Sequence, residues 1–121
     1  MKAAVASSDG IFVDRHLGRT DKIYIYEMTD SGYNLLEVRE NGPAYGEDHQ
    51  SALDKIVSLV EDADIVIAER VGGSAAELLF HRGIQVFQLD GKIGDILKAI
   101  EKSKRFQILK KRGWQHGRQE N

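Results

Sequence analysis

The apolar residues of this chain follow two spacings, and each spacing predicts its own kind of secondary structure. Apolar runs of strand length occur at residues 3–6, 22–28, 33–39, 65–68 and 85–89. The helical spacing i, i+3, i+4, i+7 connects Leu53, Ile56, Val57 and Val60 in one stretch, and Ile93, Ile96, Leu97 and Ile100 in another. Five strands and two amphipathic helices are therefore predicted from periodicity alone.

The residues between the first segments indicate how these segments are connected. Residues 29–32 have hairpin-turn chemistry, so the strands on either side of them form an antiparallel pair. The stretch 41–47 carries the single proline and is typical of a loop. Asp48 follows it and is the expected cap of the first helix.

Residues 65–83 predict a strand, a turn and a further helix. The run 65–68 contains no polar residue, which is typical of a strand covered on both faces. Ser74 and Glu77 have the spacing of a capping box, and Gly83 is the expected end of the helix. The element order is then β-β-β-α-β-α-β-α. Because crossovers are right-handed, it predicts a three-layer α/β/α sandwich with a mixed five-stranded sheet.

Length and composition limit the organisation and the chemistry of the chain. A length of 121 residues favours one domain, which we expect at 1–104, followed by a basic, flexible C-terminal tail at 105–121. The absence of cysteine excludes thiolate ligands for zinc or for an iron-sulfur cluster. No apolar run approaches the ~20 residues that span a bilayer, and residues 1–5 do not look like a secretory signal, so a cytoplasmic location without membrane contact is expected.

The net charge of −2 hides an uneven distribution of charge. Residues 102–121 carry seven basic residues and one acidic residue, hence +6, and residues 1–101 carry −8. The basic end is either a solvated helix terminus or a surface that binds an acidic protein or nucleic acid. We favour the solvated terminus, and nucleic acid is not the expected partner.

Polar side chains gather where the predicted parallel strands end. Strand 3–6 leads into Ser7, Ser8 and Asp9, and strand 65–68 leads into Glu69 and Arg70. The loop that holds Arg15, His16 and Arg19 leaves from the same edge. Ligands of open α/β sheets bind beyond the carboxyl ends of the strands, so this edge is the predicted site.

Two stretches of the chain resemble the dinitrogenase iron-molybdenum cofactor biosynthesis family. The first is 6–20, with the motif His16-Leu17-Gly18, and the second is 63–79, with a buried strand, a glycine turn and a helix. The resemblance covers roughly residues 3–101. It implies a ribonuclease H-like fold, and it implies that the histidine of the His-x-Gly motif, here His16, contacts the cofactor. Many relatives also carry His-rich or Cys-containing stretches, and this chain departs from them.

The residue types at the edge suit a metal-containing anion. Neutral imidazole is a good ligand for iron, so His16 is the candidate metal ligand, with His49 as a possible second one. Guanidiniums neutralise an anionic cofactor or, in the plainer interpretation, form surface ion pairs with Asp14, Asp21 or Glu69. Gly73 lies in a turn before a helix, which either receives an anion or only caps the helix. The full set of predicted cofactor-binding residues is Ser8, Arg15, His16, Gly18, Arg19, Arg70 and Gly73.

Three functions fit these features. The first is a non-enzymatic carrier that binds an iron-molybdenum cofactor or an iron-sulfur cluster precursor, in contact with a cofactor donor or acceptor protein. The second is an adaptor or regulatory domain of the same fold that binds an acidic protein or nucleic acid through the basic tail. The third, ranked last, is a domain that binds a small ligand or an anion through the amides of residues 72–74. A nuclease is disfavoured because no set of carboxylates converges on the sheet centre. His81, in the last helical turn, and His116, in the tail, are expected to have no role in a site.

Overall fold

The computed structural model describes residues 1–42 and 49–103. The strands are β1 (Lys2–Ala6), β2 (Phe12–Val13), β3 (Lys22–Thr29), β4 (Gly32–Glu40), β5 (Ile65–Ala68), β6 (Gln85–Gln88) and β7 (Gly91–Lys92). The helices are α1 (His49–Val60), α2 (Gly73–His81) and α3 (Ile93–Lys102), and a short 3-10 helix spans Leu17–Arg19.

Five of the strands form one mixed sheet in the order β4-β3-β1-β5-β6. The central strand β1 runs antiparallel to β3 and parallel to β5, and β6 continues the parallel half. The hairpin of β3 and β4 forms the antiparallel half, with an irregularity at Ile25/Tyr26. The predicted mixed five-stranded sheet is confirmed.

Helices cover both faces of this sheet. Val66 and Ala68 of β5 pack with α1 and α2 in one core cluster, whereas Ile65 and Ile67 pack with α3 in the other. All four side chains of β5 are fully buried, as the continuous apolar run predicts. The apolar helical positions predicted from the sequence are buried as well. They are Ile56, Val57 and Val60 in α1, and Ile93, Ile96, Leu97 and Ile100 in α3.

The antiparallel edge is fixed to α1 by one arginine. Arg39 of β4 donates to the carbonyl of Leu59 at 2.7 Å and to the two carboxylate oxygens of Asp62 at 2.7 and 2.9 Å. It also donates to Glu37 at 2.9 Å. The hydrogen bond from Arg39 lowers the pKa of Asp62 from 3.8 to about 2.

The structure corrects the prediction for the start of α2. The predicted capping box of Ser74 and Glu77 is wrong, because Gly72 is the N-cap and α2 begins at Gly73. The carbonyl of Gly72 accepts from the amide of Ala76 at 2.9 Å, which places Ser74 inside the helix. The helix ends at His81, and Gly83 follows with a φ of 77°, the left-handed conformation expected of it.

Sequence periodicity did not indicate the two-stranded ribbon of β2 and β7, because a two-residue strand has no period to detect. The predicted cap Asp48, most of the predicted loop 41–47 and the basic tail 105–121 lie outside the described residues. Within the described part of the chain, no helix has the length and apolar character needed to cross a membrane.

Candidate functional site

The connection that follows β1 is held in shape by two side chains. The hydroxyl of Ser7, which is buried, accepts from the amide of Gly10 at 2.9 Å. The carboxylate of Asp9 accepts from the amides of Ile11 and Phe12 at 2.9 and 3.0 Å. These backbone donors, with that of Phe12 the stronger, hold the pKa of Asp9 below its usual value. The chain therefore makes a defined turn at Gly10, where φ is 76°.

Ser8 and Asp14 close the rest of this connection. Asp14 accepts from the amide of Ser8 at 2.9 Å and from its hydroxyl at 2.6 Å. Both donors of Ser8, a predicted cofactor-binding residue, are therefore directed to Asp14. In this geometry Ser8 supports the connection to the segment that carries His16.

We call residues 14–20 the His16 loop, and main-chain hydrogen bonds fix it against the end of β5. The amide of Leu17 donates to the carbonyl of Arg70, and the amide of Glu69 donates to the carbonyl of Arg15, both at 2.9 Å. His16 and Arg70 form an isolated parallel bridge. Leu17 is fully buried in the core cluster under α1 and α2. The predicted convergence of the loop and the β5 end is thus present in the structure.

The imidazole of His16 projects from this fixed backbone toward solvent, with 48% of its side chain exposed. Its Nε2 lies 3.7 Å from Oε1 of Glu69, whose side chain is 42% exposed. That distance is too long for a good hydrogen bond, so the carboxylate is a neighbour and not a tight partner. Glu69 was predicted at this edge, but its position next to His16 could not be read from the sequence.

The three predicted arginines of the edge are exposed. Within residues 1–42 and 49–103, Arg15, Arg19 and Arg70 form no ion pair. Ion pairing with Asp14 or Glu69 would compete with the contacts those residues already make, with Ser8 and His16 respectively. Among the described residues these arginines therefore form no ion pair with Asp14, Asp21 or Glu69, and their role at the edge stays a prediction.

The predicted glycines Gly18 and Gly73 face open space. A Cβ atom added at either position would have no heavy atom within 4 Å, and the same holds for Gly72. The turn that leads to α2 is positioned by Gln88, whose side-chain carbonyl accepts from the amide of Val71 at 2.7 Å. Packing therefore does not require glycine at these places, and a ligand can approach the main chain closely.

The described residues contain no group of three or more His, Asp or Glu side chains arranged to hold a metal ion. The side chain of His49 and the whole of His116 lie outside the described residues. His81 ends α2, and its Nε2 lies 3.9 Å from Glu77 on the same helix. At the edge of the sheet this part of the protein thus offers one imidazole nitrogen, one nearby carboxylate and several cationic side chains.

Among the described residues, the fold and the edge site define an α/β domain with the exposed imidazole of His16 beside guanidiniums that form no ion pair there. The family model described as dinitrogenase iron-molybdenum cofactor matches residues 1–103, so the chain belongs to that family. The resemblance seen in the two sequence stretches is confirmed.

Two relatives with names from cofactor assembly are similar to this chain over most of its length. NifX of Azotobacter vinelandii is 27% identical over 103 residues, which cover 84% of this chain and 65% of NifX. The FeMo cofactor biosynthesis protein NifB of Sinorhizobium fredii is 29% identical over 89 residues, 70% of this chain but only 18% of NifB. The chain thus spans less than two thirds of the length of these relatives.

Among crystal structures, PH0822 has a TM-score of 0.63 at 24% identity, covering 84% of this chain and 89% of that one. A putative dinitrogenase from Methanocaldococcus jannaschii has a TM-score of 0.57 at 13% identity, covering 84% and 88%. These structures share the fold, and the family and the named relatives point to iron-molybdenum cofactor biosynthesis.

Proposed function

We propose that this protein is a non-enzymatic carrier for an iron-molybdenum cofactor or a related iron-sulfur cluster precursor. In this proposal His16 donates an imidazole nitrogen to iron of the cluster. Arg15, Arg19 and Arg70 neutralise the negative charge of the cargo. The carrier receives the cluster from a donor protein and passes it to an acceptor during cofactor assembly. The ribonuclease H-like assignment of the fold, implied by the same resemblance, belongs to this proposal.

The observation that carries the proposal is the fixed His16 loop with a free imidazole. Hydrogen bonds from Leu17 to Arg70 and from Glu69 to Arg15 set the backbone position of His16 before any cargo arrives. Its side chain is half exposed, and the Glu69 carboxylate at 3.7 Å is the acidic partner recorded for it among the described residues. A neutral imidazole held in this way is a preorganised metal ligand.

The charges at the edge support an anionic cargo. Exposed guanidiniums without ion pairs keep their donors available for carboxylate or sulfide groups. Because they lie on the backbone segments that bracket His16, a cluster bound to the imidazole would come within their reach. The open space at Gly18 and Gly73 supports the same approach, since it leaves room beside the main chain.

Ligation by one imidazole suits transfer better than permanent storage. The described residues offer no multi-ligand metal group, and the chain has no cysteine. A cluster held by one nitrogen and by ion pairs can be released stepwise to a protein with stronger ligands. This is the physical reason for proposing a carrier and not a resident cluster protein or an enzyme.

The test uses isolated iron-molybdenum cofactor under anaerobic conditions, with gel filtration and iron and molybdenum analysis of the protein peak. We expect wild type to retain the metals and His16→Ala to lose at least about nine tenths of them, because the iron ligand is gone. His81→Ala is the matched control, since it removes an exposed histidine from α2. Circular dichroism checks that both variants remain folded.

Equal retention by His16→Ala and His81→Ala would contradict the proposed ligand. If wild type retained no metals and instead bound an acidic protein or nucleic acid in a salt-sensitive way that disappeared on deletion of residues 105–121, with no effect of His16→Ala, the adaptor hypothesis based on the basic tail would take its place. That tail lies outside the described residues, so the adaptor function has no structural observation in its favour.

A further inference from the structure

A cavity lies on the α3 face of the sheet, away from the His16 loop. It has a volume of about 340 Å³ and is bordered by the Gly10 turn, by the rings of Tyr26 and Tyr33, and by the first turn of α3. Tyr26 and Tyr33 belong to the core cluster of α3, whereas Leu17 of the His16 loop belongs to the cluster of α1 and α2. The size is at the lower end of small-molecule sites, about 300–1,000 Å³. We call it the tyrosine cavity.

Tyr26 brings a polar group into this cavity without a partner. The residue is only 6% exposed, and its hydroxyl has no hydrogen bond within the described residues. Its ring meets that of Tyr33 edge to face, with the centroids 5.8 Å apart. Burial, with smaller effects of Tyr33 and Tyr24, raises the pKa of the Tyr26 phenol, so it remains a proton donor at neutral pH. The hydroxyl is not among the buried unpaired atoms of the described residues, so it remains accessible at the cavity, where a ligand oxygen would accept its hydrogen bond in place of solvent.

The amino-terminal end of α3 supplies further donors. The amide of Ile93 donates to the carbonyl of Ile11 at 2.8 Å, but the N-cap Lys92 contributes no side-chain cap to the amides that follow. Amides in the first helical turn have no acceptor inside the helix and carry the positive end of its dipole. Gly94 and Asp95, which hold the next two amides, both border the cavity.

Gly94 also explains how a tyrosine reaches this helix end. A Cβ at position 94 would lie 2.6 Å from the hydroxyl of Tyr33, so a side chain there would force the phenol to shift. Glycine therefore lets the phenol lie directly over the start of α3. The Tyr33 hydroxyl and the first-turn amides are thus adjacent, and both are donors.

The chemistry of the lining selects one class of ligand. Phenol hydroxyls, first-turn amides and the ammonium of Lys92 are donors or cations, and Asp95 is the one carboxylate among the bordering residues. The rest of the wall consists of Ile11, Ile93 and the tyrosine rings. We infer that the tyrosine cavity binds a small organic carboxylate, with its oxygens on Tyr26, Tyr33 and the α3 amides and its apolar stem against the isoleucines. This site is independent of the proposed cluster site.

The probe for the test is benzoate, followed by the amide signals of Gly94 and Asp95 in NMR titrations of the full chain. Tyr26→Phe keeps the ring and removes the donor, and we expect at least a tenfold loss of affinity, the size typical of a hydrogen bond to a charged group, about 1.5 kcal/mol or more. Tyr24→Phe is the matched control, because Tyr24 is on the same strand and does not border the cavity. Asp95→Asn is expected to tighten binding several-fold, since it removes the repelling carboxylate.

Three results would overturn the inference. The first is equal affinity of Tyr26→Phe and wild type, with thermal unfolding showing both folded. The second is binding of inorganic phosphate as tight as that of benzoate, which would indicate only a helix end that attracts anions. The third is loss of benzoate binding in His16→Ala, which would place the ligand at the edge site. Failure of cluster binding by wild type leaves this titration unaffected, so the two proposals fail separately.

Discussion

Where β4 meets α1, the guanidinium of Arg39 is surrounded by acceptors, whereas those of Arg15, Arg19 and Arg70 form no ion pair among the described residues. Arg39 is 18% exposed and joins two elements of the fold. The guanidiniums of the edge arginines are exposed and pair with no carboxylate within residues 1–42 and 49–103. An arginine side chain thus stabilises the fold where its donors are satisfied, and is available to bind a ligand where they are not.

The two regions also differ in what holds their backbones. Arg39 holds β4 to α1 through its side chain, so the contact between these two elements depends on that residue. The His16 loop is held by peptide groups, by the Asp14 carboxylate and by the buried Leu17, so the exposed side chains of Arg15, His16 and Arg19 are not needed to hold it. This contrast predicts that substitutions in the two regions separate stability from binding.

The largest expected effect is on stability, from Leu17→Ala. Leu17 is fully buried, and removal of a buried leucine side chain costs about 2–5 kcal/mol. We expect a fall of this size in the free energy of unfolding by urea, together with loss of cluster retention, because the loop loses its anchor. Phe80→Ala, at a residue 74% exposed on α2, is the control and should change stability little. A stable Leu17→Ala variant would show that the main-chain bonds alone hold the loop.

Next in size is Arg39→Met, which keeps the length of the side chain and removes its donors. The carbonyl of Leu59 and the carboxylate of Asp62 lose their partner, so we expect a loss of about 1–2 kcal/mol in urea unfolding and unchanged cluster retention. Arg70→Met should do the opposite, with a change in stability within about 0.5 kcal/mol and weaker retention. Equal losses in the free energy of unfolding for Arg39→Met and Arg70→Met would contradict the contrast between the two regions.

A smaller effect concerns acid stability. The pKa of Asp62 is lowered from 3.8 to about 2 in the folded protein, so its contribution to stability is complete above the unfolded value and is lost as the pH falls through this range. Because the pair is partly exposed, we expect it to account for no more than ~1 kcal/mol. The measurement is urea unfolding at about pH 5 and about pH 2.5. The stability difference between wild type and Arg39→Met should shrink at the lower pH, and a constant difference would contradict the assignment.

The smallest effect on stability is expected from Gly18→Ala. A Cβ there meets no atom within 4 Å and the φ is not left-handed, so the free energy of unfolding should change by about 0.5 kcal/mol or less. Cluster retention should still fall, because the methyl group occupies space beside His16. Lys98→Ala on α3 serves as a surface control. Full retention in Gly18→Ala would mean that the cargo does not approach the main chain at this point.

The sequence was most informative where one period runs through a whole element. The unbroken apolar run of β5 indicated a strand covered on both faces, and the spacing of Ile93, Ile96, Leu97 and Ile100 placed α3 correctly. The start of α2 was misjudged, because the Ser74–Glu77 spacing resembles a capping box, but the turn bound to Gln88 makes Gly72 the cap. Local spacing cannot detect a hydrogen bond from a neighbouring strand.

The sequence predicted which residues lie at the same edge, but not the hydrogen bonds and distances among them. Strand order brought His16, Glu69 and Arg70 to one edge, which the structure shows. The bridge between His16 and Arg70 joins peptide groups far apart in the sequence, so no residue pattern reports it. The sequence did not predict the tyrosine cavity for a similar reason. Tyr26, Tyr33 and Gly94 come together only through the packing of α3 on the hairpin.

The hydrogen bonds that connect the His16 loop to the end of β5 involve only main-chain atoms, and this has an evolutionary consequence. These bonds do not depend on the side chains at positions 15, 16 and 70, with proline as the exception. Under the proposed function, relatives can therefore exchange these residues and acquire a different cargo preference while the scaffold beneath remains the same.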